Sequence, residues 1–203
     1  LSRFILGIAL SLLVFSASPV LAGVAPLSES TAEMVIGSPD APVTMIEYAS
    51  LTCPHCAAFH TETLPKIKKA YVDTGKVRII YRDFPLGSLA MGAAMLARCS
   101  GTKNYFTMLG ALFASQATWA RSETPLQALE GIARLSGMTV DDVDSCMNDK
   151  ALFEHLKNVA NDASNSLGVE STPTFFIEGT KVPGNMPFED FQDILDKAIA
   201  KKQ

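Results

Sequence analysis

The chain has 203 residues, 48% hydrophobic and 19% charged, with a formal net charge of −4. That length suits one globular unit, or one carrying a substantial insertion. The mild acidity and the absence of any Lys/Arg-rich run exclude a nucleic-acid partner held by a basic patch, and no repeat or low-complexity tract is present.

Arg3 precedes an apolar run, residues 4–17, broken only by Gly7, Ser11 and Ser16; Pro19 and the small-residue stretch Val20-Leu21-Ala22 follow. As a helix, that run would reach about 21 Å at ~1.5 Å per residue, short of the ~30 Å hydrocarbon core of a bilayer. A charged start, a short apolar core and a small-residue end predict a secretory signal over residues 1–22, cleaved after Ala22. An uncleaved anchor is the alternative. Export makes the compartment oxidising, so all four cysteines can pair. Residues 23–33 are small and polar and are expected to form a flexible leader.

The residues "VTMIEYAS" (43–50) read as a buried strand whose one charged member is Glu47. The stretch "LTCPHCAAFH" (51–60) comes directly after it. Helical character continues to Leu64, and Pro65 is expected to kink that helix or end its first half. A turn at Asp73-Thr74-Gly75 leads into a second strand, "VRIIYRDF" (77–84). Residues 87–168 carry helix signals almost alone. Leu89, Ala93 and Leu96 share one face, and Tyr105, Leu109 and Leu112 another. Thr124-Pro125 starts a helix, and Gly137 stops it. Thr139 with Asp142 predicts a capping box. Leu152, Leu156, Val159, Ala163 and Leu167 form a stripe closed by Gly168. Strands return at 174–179 and 180–184, with Glu178-Gly179 as the hairpin turn. A helix through Phe188, Phe191, Ile194, Leu195, Ala198 and Ile199 closes the chain. A connection as long as 87–168 cannot be bare loop, so it forms a helical layer of its own. The whole reads as an α/β sandwich.

Three chemistries compete for the C-x-x-C pair. A zinc site wants four ligands, and Cys53, Cys56, His55 and His60 are candidates. Cys56 and His60 are four apart on a helix, but no second C-x-x-C completes a set. A structural staple closing a two-residue loop would stabilise little. The redox reading uses every feature. A strand, then C-x-x-C, then a helix puts Cys53 at a helix N-terminus, where unpaired N–H groups and the dipole favour a thiolate. Pro54 fits the first helical position, and His55 adds a donor or positive group beside the sulfur. Cys53 is then the exposed nucleophile, and Cys56, on the same face but more buried, resolves the mixed disulfide. Cys99 and Cys146 lie in helical segments without C-x-x-C partners. A structural disulfide between them is expected, two free buried thiols being the alternative.

The residues "CPHC", Glu47 six positions before Cys53, "STPTFF" (171–176), the opening "IGSPDAPVTMIEYAS" and the helical insertion resemble the DsbA-like thiol:disulfide oxidoreductases over residues 34–203. The resemblance implies a thioredoxin fold with an inserted all-helical domain, split as 34–86, 87–168 and 169–203. It implies that Thr172-Pro173 is a cis-proline segment facing the cysteines, and that Glu47 is a buried acid behind Cys56, able to accept its proton. It also implies a periplasmic, monomeric dithiol oxidase that needs no cofactor beyond the Cys53–Cys56 disulfide. Its substrates would be unfolded or reduced exported proteins, and an inner-membrane, quinone-linked partner would reoxidise it. Two departures stand against the family's best-known oxidase: the extra pair Cys99 and Cys146, and Thr172 before the proline, which also occurs in isomerase-type relatives. An isomerase or reductase of the same fold is therefore one rival, and a periplasmic copper or zinc module using the CPHC cysteines is another. His155 reads as a solvated surface residue. Met91, Met95 and Met108 read as core, with a substrate groove as the alternative use.

Overall fold

The alternation of strand β2 (Val43–Ala49) decides where everything else sits. In the computed structural model, which describes residues 23–202, this strand is central in a five-stranded sheet of order β1-β3-β2-β4-β5. The expected signal segment, residues 1–22, lies outside the described residues. Strand β3 (Val77–Asp83) runs parallel to β2, with Glu47 opposite Tyr81. Strands β1 (Met34–Ile36), β4 (Thr174–Ile177) and β5 (Thr180–Pro183) are antiparallel to their neighbours. Successive side chains of β2 point to opposite faces. Val43 and Met45 enter one core with Phe59, Ile67, Phe175, Phe191 and Leu195. Ile46 and Tyr48 enter a smaller one with Val159, Ala163 and Phe176. Glu47 is thus the one polar residue on the first face.

That first face is covered by the terminal helix α10 (Phe188–Ala200) and by a continuous helical segment over residues 54–72. The segment begins as α2 (Pro54–Ala58), passes through a π turn (Phe59–Thr63), continues as α3 (Leu64–Ile67) and ends in a second π turn (Lys68–Val72). Pro65 neither ends nor breaks it. Proline lacks an N–H and crowds the carbonyl four residues back. The wider turn just before it absorbs both problems, with the Leu64 N–H bonding to the Phe59 carbonyl instead.

Helices α4 (Ser88–Cys99), α5 (Tyr105–Ala114), α6 (Gln116–Trp119), α7 (Pro125–Leu135), α8 (Val140–Met147) and α9 (Lys150–Leu167) fill the connection between β3 and β4. Alanines 90, 93, 94 and 97 let α4 lie deep in this layer. Met95 and Met108 are buried and Met91 packs against them, so the methionines are core. The Thr139–Asp142 capping box forms at the start of α8, and α9 ends on Gly168 at φ 63. Glu178 and Gly179, both at positive φ, make the β4–β5 turn. The helical layer shares one apolar core with Leu51, Cys53, Cys56 and Tyr81, so it is packed directly onto the cysteine end of the sheet. A disulfide joins Cys99 to Cys146 across α4 and α8, with Cα atoms 6.1 Å apart.

Two expectations need correction. The segment 23–33 is tied down, not free. It holds a helical turn, α1 (Leu27–Ser30); the buried Arg98 guanidinium donates to the Ser30 and Ala32 carbonyls, and Glu29 accepts from the Thr102 N–H and hydroxyl. A buried guanidinium needs acceptors, and this segment supplies them. His155 is half-buried rather than solvated, because α9 turns it toward Arg98 in a cavity under the sheet; burial, with Arg98 second, holds its pKa below the usual histidine value. Among the described residues, no helix is long and apolar enough to cross a membrane.

Candidate active site

Cys53 is the N-cap of α2 and Pro54 its first helical residue. Both cysteines are free thiols. Cys53 is 7% exposed and Cys56 is 0% exposed, so Cys53 is the more accessible of the two but not openly exposed. The Thr172–Pro173 segment crowds it, with the Thr172 carbonyl 3.2 Å from its sulfur. That peptide bond is cis. As a thiol, Cys53 donates to this carbonyl. As a thiolate it accepts, and the acceptor state wins. The Cys56 thiol is its main donor. Burial works against the charge, but the Thr172 hydroxyl and the backbone N–H groups of Cys56 and His55 add to the donors and lower the pKa from 9.0 to about 5. Thr172 Oγ1 has no hydrogen-bond partner among the protein groups otherwise, which leaves it free for the sulfur. Burial, then the hydrogen bond to Cys53, pushes the Cys56 thiol far up, with the charges of Cys53 and Glu47 adding to this. One sulfur is thus set to be charged and the other neutral, which is the asymmetry thiol–disulfide exchange requires.

His55 contributes differently from the expectation. Its side chain is exposed, and among the described residues only its backbone N–H acts on the Cys53 sulfur. Helix geometry explains this: the second helical residue presents its amide to the N-cap while its side chain turns outward.

Glu47 is 1% exposed. It lies close enough to Cys56 for its charge to act on that thiol, yet its hydrogen bonds go to His60, whose Nε2 is 3.0 and 3.1 Å from the two carboxylate oxygens. His60 is stacked on Phe113, ring centroids 4.0 Å apart, with Tyr81 and Phe59 edge-on. His60 is therefore engaged by Glu47, not paired with Cys56 as a metal ligand. No group of three or more His, Cys, Asp or Glu side chains among the described residues is placed to hold a metal ion.

The family model described as thioredoxin matches residues 29–197. The crystal structure of alpha-DsbA1 from Wolbachia pipientis superposes with a TM-score of 0.79 at 38% identity, covering 84% of this chain and 92% of that one. The chain is a DsbA-like member of the thioredoxin family. A protein-disulfide isomerase structure from Novosphingobium aromaticivorans is similar at 27% identity and a TM-score of 0.71, covering 82% of this chain and 97% of that one. Among curated proteins, the "Putative protein-disulfide oxidoreductase" of Rickettsia conorii is 33% identical over 172 residues, 84% of this chain. The chain spans 62% of that relative's length.

Two residues of this DsbA-like site carry no sign in the sequence. Gln116, at the start of α6, is buried, and its side-chain N–H groups donate to the carbonyls of Leu51 (2.8 Å) and Cys53 (2.9 Å). It fixes the turn that presents Cys53, from a position 63 residues further along the chain in a polar-looking stretch. Ser50 is also fully buried; its hydroxyl accepts from the Leu86 N–H at 3.2 Å and sits 3.3 Å from the Thr52 hydroxyl. The Cys53 carbonyl retains its helical partner, the Ala57 N–H, whereas among the described residues the Leu51 carbonyl has only Gln116. Gln116→Leu therefore leaves one buried carbonyl unpaired, at an expected cost of about 1–3 kcal/mol. Urea unfolding reads this directly, and a loss well below that range would mean that water takes the place of the amide.

Proposed function

We propose that this protein is a periplasmic dithiol oxidase, which donates its Cys53–Cys56 disulfide to newly exported proteins. The observation that carries the reading is the thiolate-favouring environment of Cys53 beside a neutral, buried Cys56. A donor set aimed at the thiolate stabilises the dithiol form and so makes the disulfide easier to give away. In the reaction, a substrate thiolate attacks Cys53 Sγ, the Cys53–Cys56 bond breaks, and Cys56 leaves and takes up a proton. A second substrate thiolate then attacks the substrate sulfur of the mixed disulfide and expels Cys53 as its thiolate. The substrate is oxidised by two electrons and the protein is left as the dithiol. A second protein must then accept those electrons, for which an inner-membrane, quinone-linked oxidase is the natural class. Leu86, 51% exposed and bonded to the turn before Cys53 through Ser50, offers an apolar contact for an unfolded chain.

Similarity to the Novosphingobium protein-disulfide isomerase, together with Thr172 before Pro173, favours an isomerase as the second reading. Equilibration of the active-site pair with glutathione separates the two. The oxidase reading expects the dithiol to dominate in buffers where an ordinary protein disulfide persists, and the ultraviolet absorbance of the Cys53 thiolate to titrate near pH 5. Linkage gives a second readout with a fixed sign. The folded pKa is depressed, so the reduced protein has the full added stability above the free-thiol value of 9.0 and loses it as the pH falls through about 5. The oxidised form has no such group, so its stability relative to the reduced form improves as the pH falls over that window. A titration midpoint near 9.0, or a disulfide more stable than that of glutathione, would sink the oxidase reading.

A further inference from the structure

The carboxylate of Glu47 has no direct route to water. It is 1% exposed, and among the described residues its only hydrogen-bond partner is His60 Nε2. His60 is built differently at its two ends. Nε2 faces the carboxylate. Nδ1 makes no hydrogen bond among the described residues, and it is not one of the sealed polar atoms either, since Thr172 Oγ1 is the only buried side-chain N or O atom there that lacks a partner. Nδ1 therefore reaches solvent. The ring borders an open cavity of about 350 Å³, with Leu64, Lys68, Asp73, Phe106 and Leu109 around it.

Cys56 must lose its proton each time the disulfide closes and regain one each time it opens, in a place where it is 0% exposed. Glu47 lies within electrostatic reach of it, and His60 is one helical turn further along the same segment. Glu47 acts on the buried sulfur, His60 bonds Glu47, and His60 borders the cavity, so the three groups link the sulfur to the cavity in sequence. The titratable groups around His60 are Glu47 from β2, Tyr81 from β3, and Lys68 and Asp73 at the cavity; Tyr105 from helix α5 stands behind Tyr81, and the other α5 residues at the ring and cavity are Phe106, Leu109, Gly110 and Phe113. Tyr81 and Tyr105 are fully buried, and burial keeps both protonated, so among these His60, bonded to Glu47 and bordering the cavity, is the group placed to move a proton outward from it.

We propose that His60 is a positioning residue that passes protons between solvent and Glu47, so that Cys56 can change protonation without water entering the site. The proposal rests on the disulfide-exchange reading above. On closure, Nδ1 releases a proton to cavity water, and the proton shared by Glu47 and Nε2 settles on Nε2. The freed carboxylate takes the Cys56 proton. The Cys56 sulfur attacks Cys53 Sγ, the Cys53–Cys56 bond forms, and the substrate leaves as a thiolate. Opening runs these steps backwards. The flat packing of His60 on Phe113 holds one ring edge toward Glu47, while the side chain, 5% exposed, borders the cavity.

Oxidation of the dithiol protein by glutathione disulfide tests this in two resolvable steps, followed by acid quench and mass measurement. In the first, Cys53 forms a mixed disulfide and one glutathione leaves. In the second, Cys56 closes the ring and expels the other. His60→Gln keeps a donor to Glu47, and His60→Phe keeps the aromatic stack; neither relays a proton. Both are expected to form the mixed disulfide at the parent rate and to close it about 100-fold more slowly, the lower end of the usual worth of positioned proton transfer. The mixed disulfide then accumulates, and the pH profile of closure changes. In His60→Gly, added imidazole should enter the vacated space and restore closure in a saturable way. Closure at the parent rate in both single variants would overturn the relay. So would slow closure with an unchanged pH profile and no rescue by imidazole, since that is a packing defect. A parent protein that forms no mixed disulfide at all would overturn the exchange reading, and the relay with it.

Discussion

Cys53→Ser is expected to abolish disulfide exchange, and Cys56→Ser to turn the protein into a trap that holds its substrates covalently. The two outcomes differ because the two sulfurs are set apart by their surroundings. Cys53 stands at the start of a helical segment, where two backbone N–H groups, the Thr172 hydroxyl and the Cys56 thiol converge on it. A pKa near 5 in place of 9.0 raises the thiolate fraction at pH 7 from about 1% to about 99%, roughly a hundredfold gain in the reactive form. A serine hydroxyl at that position is not ionised by donors of this strength and forms no disulfide, so nothing of the exchange remains. Cys56 is expected to do a different job: it displaces whatever thiol is bound at Cys53 by closing the ring. Without its sulfur, a mixed disulfide at Cys53, formed when the Cys53 thiolate attacks a disulfide of the substrate, has no attacker within the protein, and only a thiol of the substrate or of the solution can release it. The hydroxyl introduced by Cys56→Ser still supplies a donor, so the Cys53 thiolate should persist in that variant. Cys56→Ala removes the largest stabilising donor and should raise the Cys53 pKa. Oxidation of a reduced peptide dithiol measures the first loss, mass analysis of the adducts the second, and thiolate absorbance the third. Exchange surviving in Cys53→Ser, or release of substrate by Cys56→Ser at the parent rate, would refute the division of labour.

The parts of this site that follow from local chemistry are legible in the sequence, and the parts that depend on distant elements are not. The C-x-x-C pair between a strand and a helix is a local pattern, and so is the burial of Glu47, whose neighbours on one face of β2 are all apolar. The partner of Glu47 is hidden. His60 lies four residues after Cys56 and invites a metal reading, and only the register of β2 under the helical segment shows that its ring meets the carboxylate. The available signal is a buried acid in a strand followed by a histidine on the inward face of the next helix. His55 shows the opposite failure. Adjacency to the sulfur suggests its imidazole, but the N-cap geometry gives the role to its amide. Gln116 carries no local signal at all, because its function is to meet two carbonyls brought to it by the fold. Pro65 escapes the ordinary α-helical rule, which the π turn over Phe59–Thr63 sidesteps.

Arg98→Leu is expected to cost about 3–5 kcal/mol of folding stability, far more than an exposed ion pair would. Arg98 is 3% exposed, and its Nε donates to Asp83, itself 2% exposed, at 2.8 Å. Burial alone would disfavour the charged guanidinium, but the Asp83 carboxylate outweighs it and holds the Arg98 pKa above its usual value. The same guanidinium donates to the Ala32 carbonyl at 2.7 Å and to the Ser30 carbonyl at 3.2 Å, and lies 5.4 Å from the centre of the Tyr105 ring. One side chain on α4 thereby joins the end of β3, the segment after α1 and helix α5. Leucine fills much of the volume but leaves the Asp83 carboxylate, among the described residues, with only the Tyr105 hydroxyl, at a long 3.4 Å. A buried carboxylate so poorly matched accounts for most of the penalty, not the loss of the pair as such. That reasoning fixes a second comparison. Adding Asp83→Asn to Arg98→Leu removes the stranded charge and should recover part of the loss, even though it removes a further native group. Arg98→Lys keeps a positive charge but no planar fork, so it should fall between the parent and Arg98→Leu. Urea unfolding of the parent and the three variants gives the comparison, with the Cys99–Cys146 bond intact in each so that the neighbouring cross-link is not confounded. A loss below about 1 kcal/mol for Arg98→Leu, or a double variant less stable than the single, would show that water reaches Asp83 and that the pair behaves as a surface one.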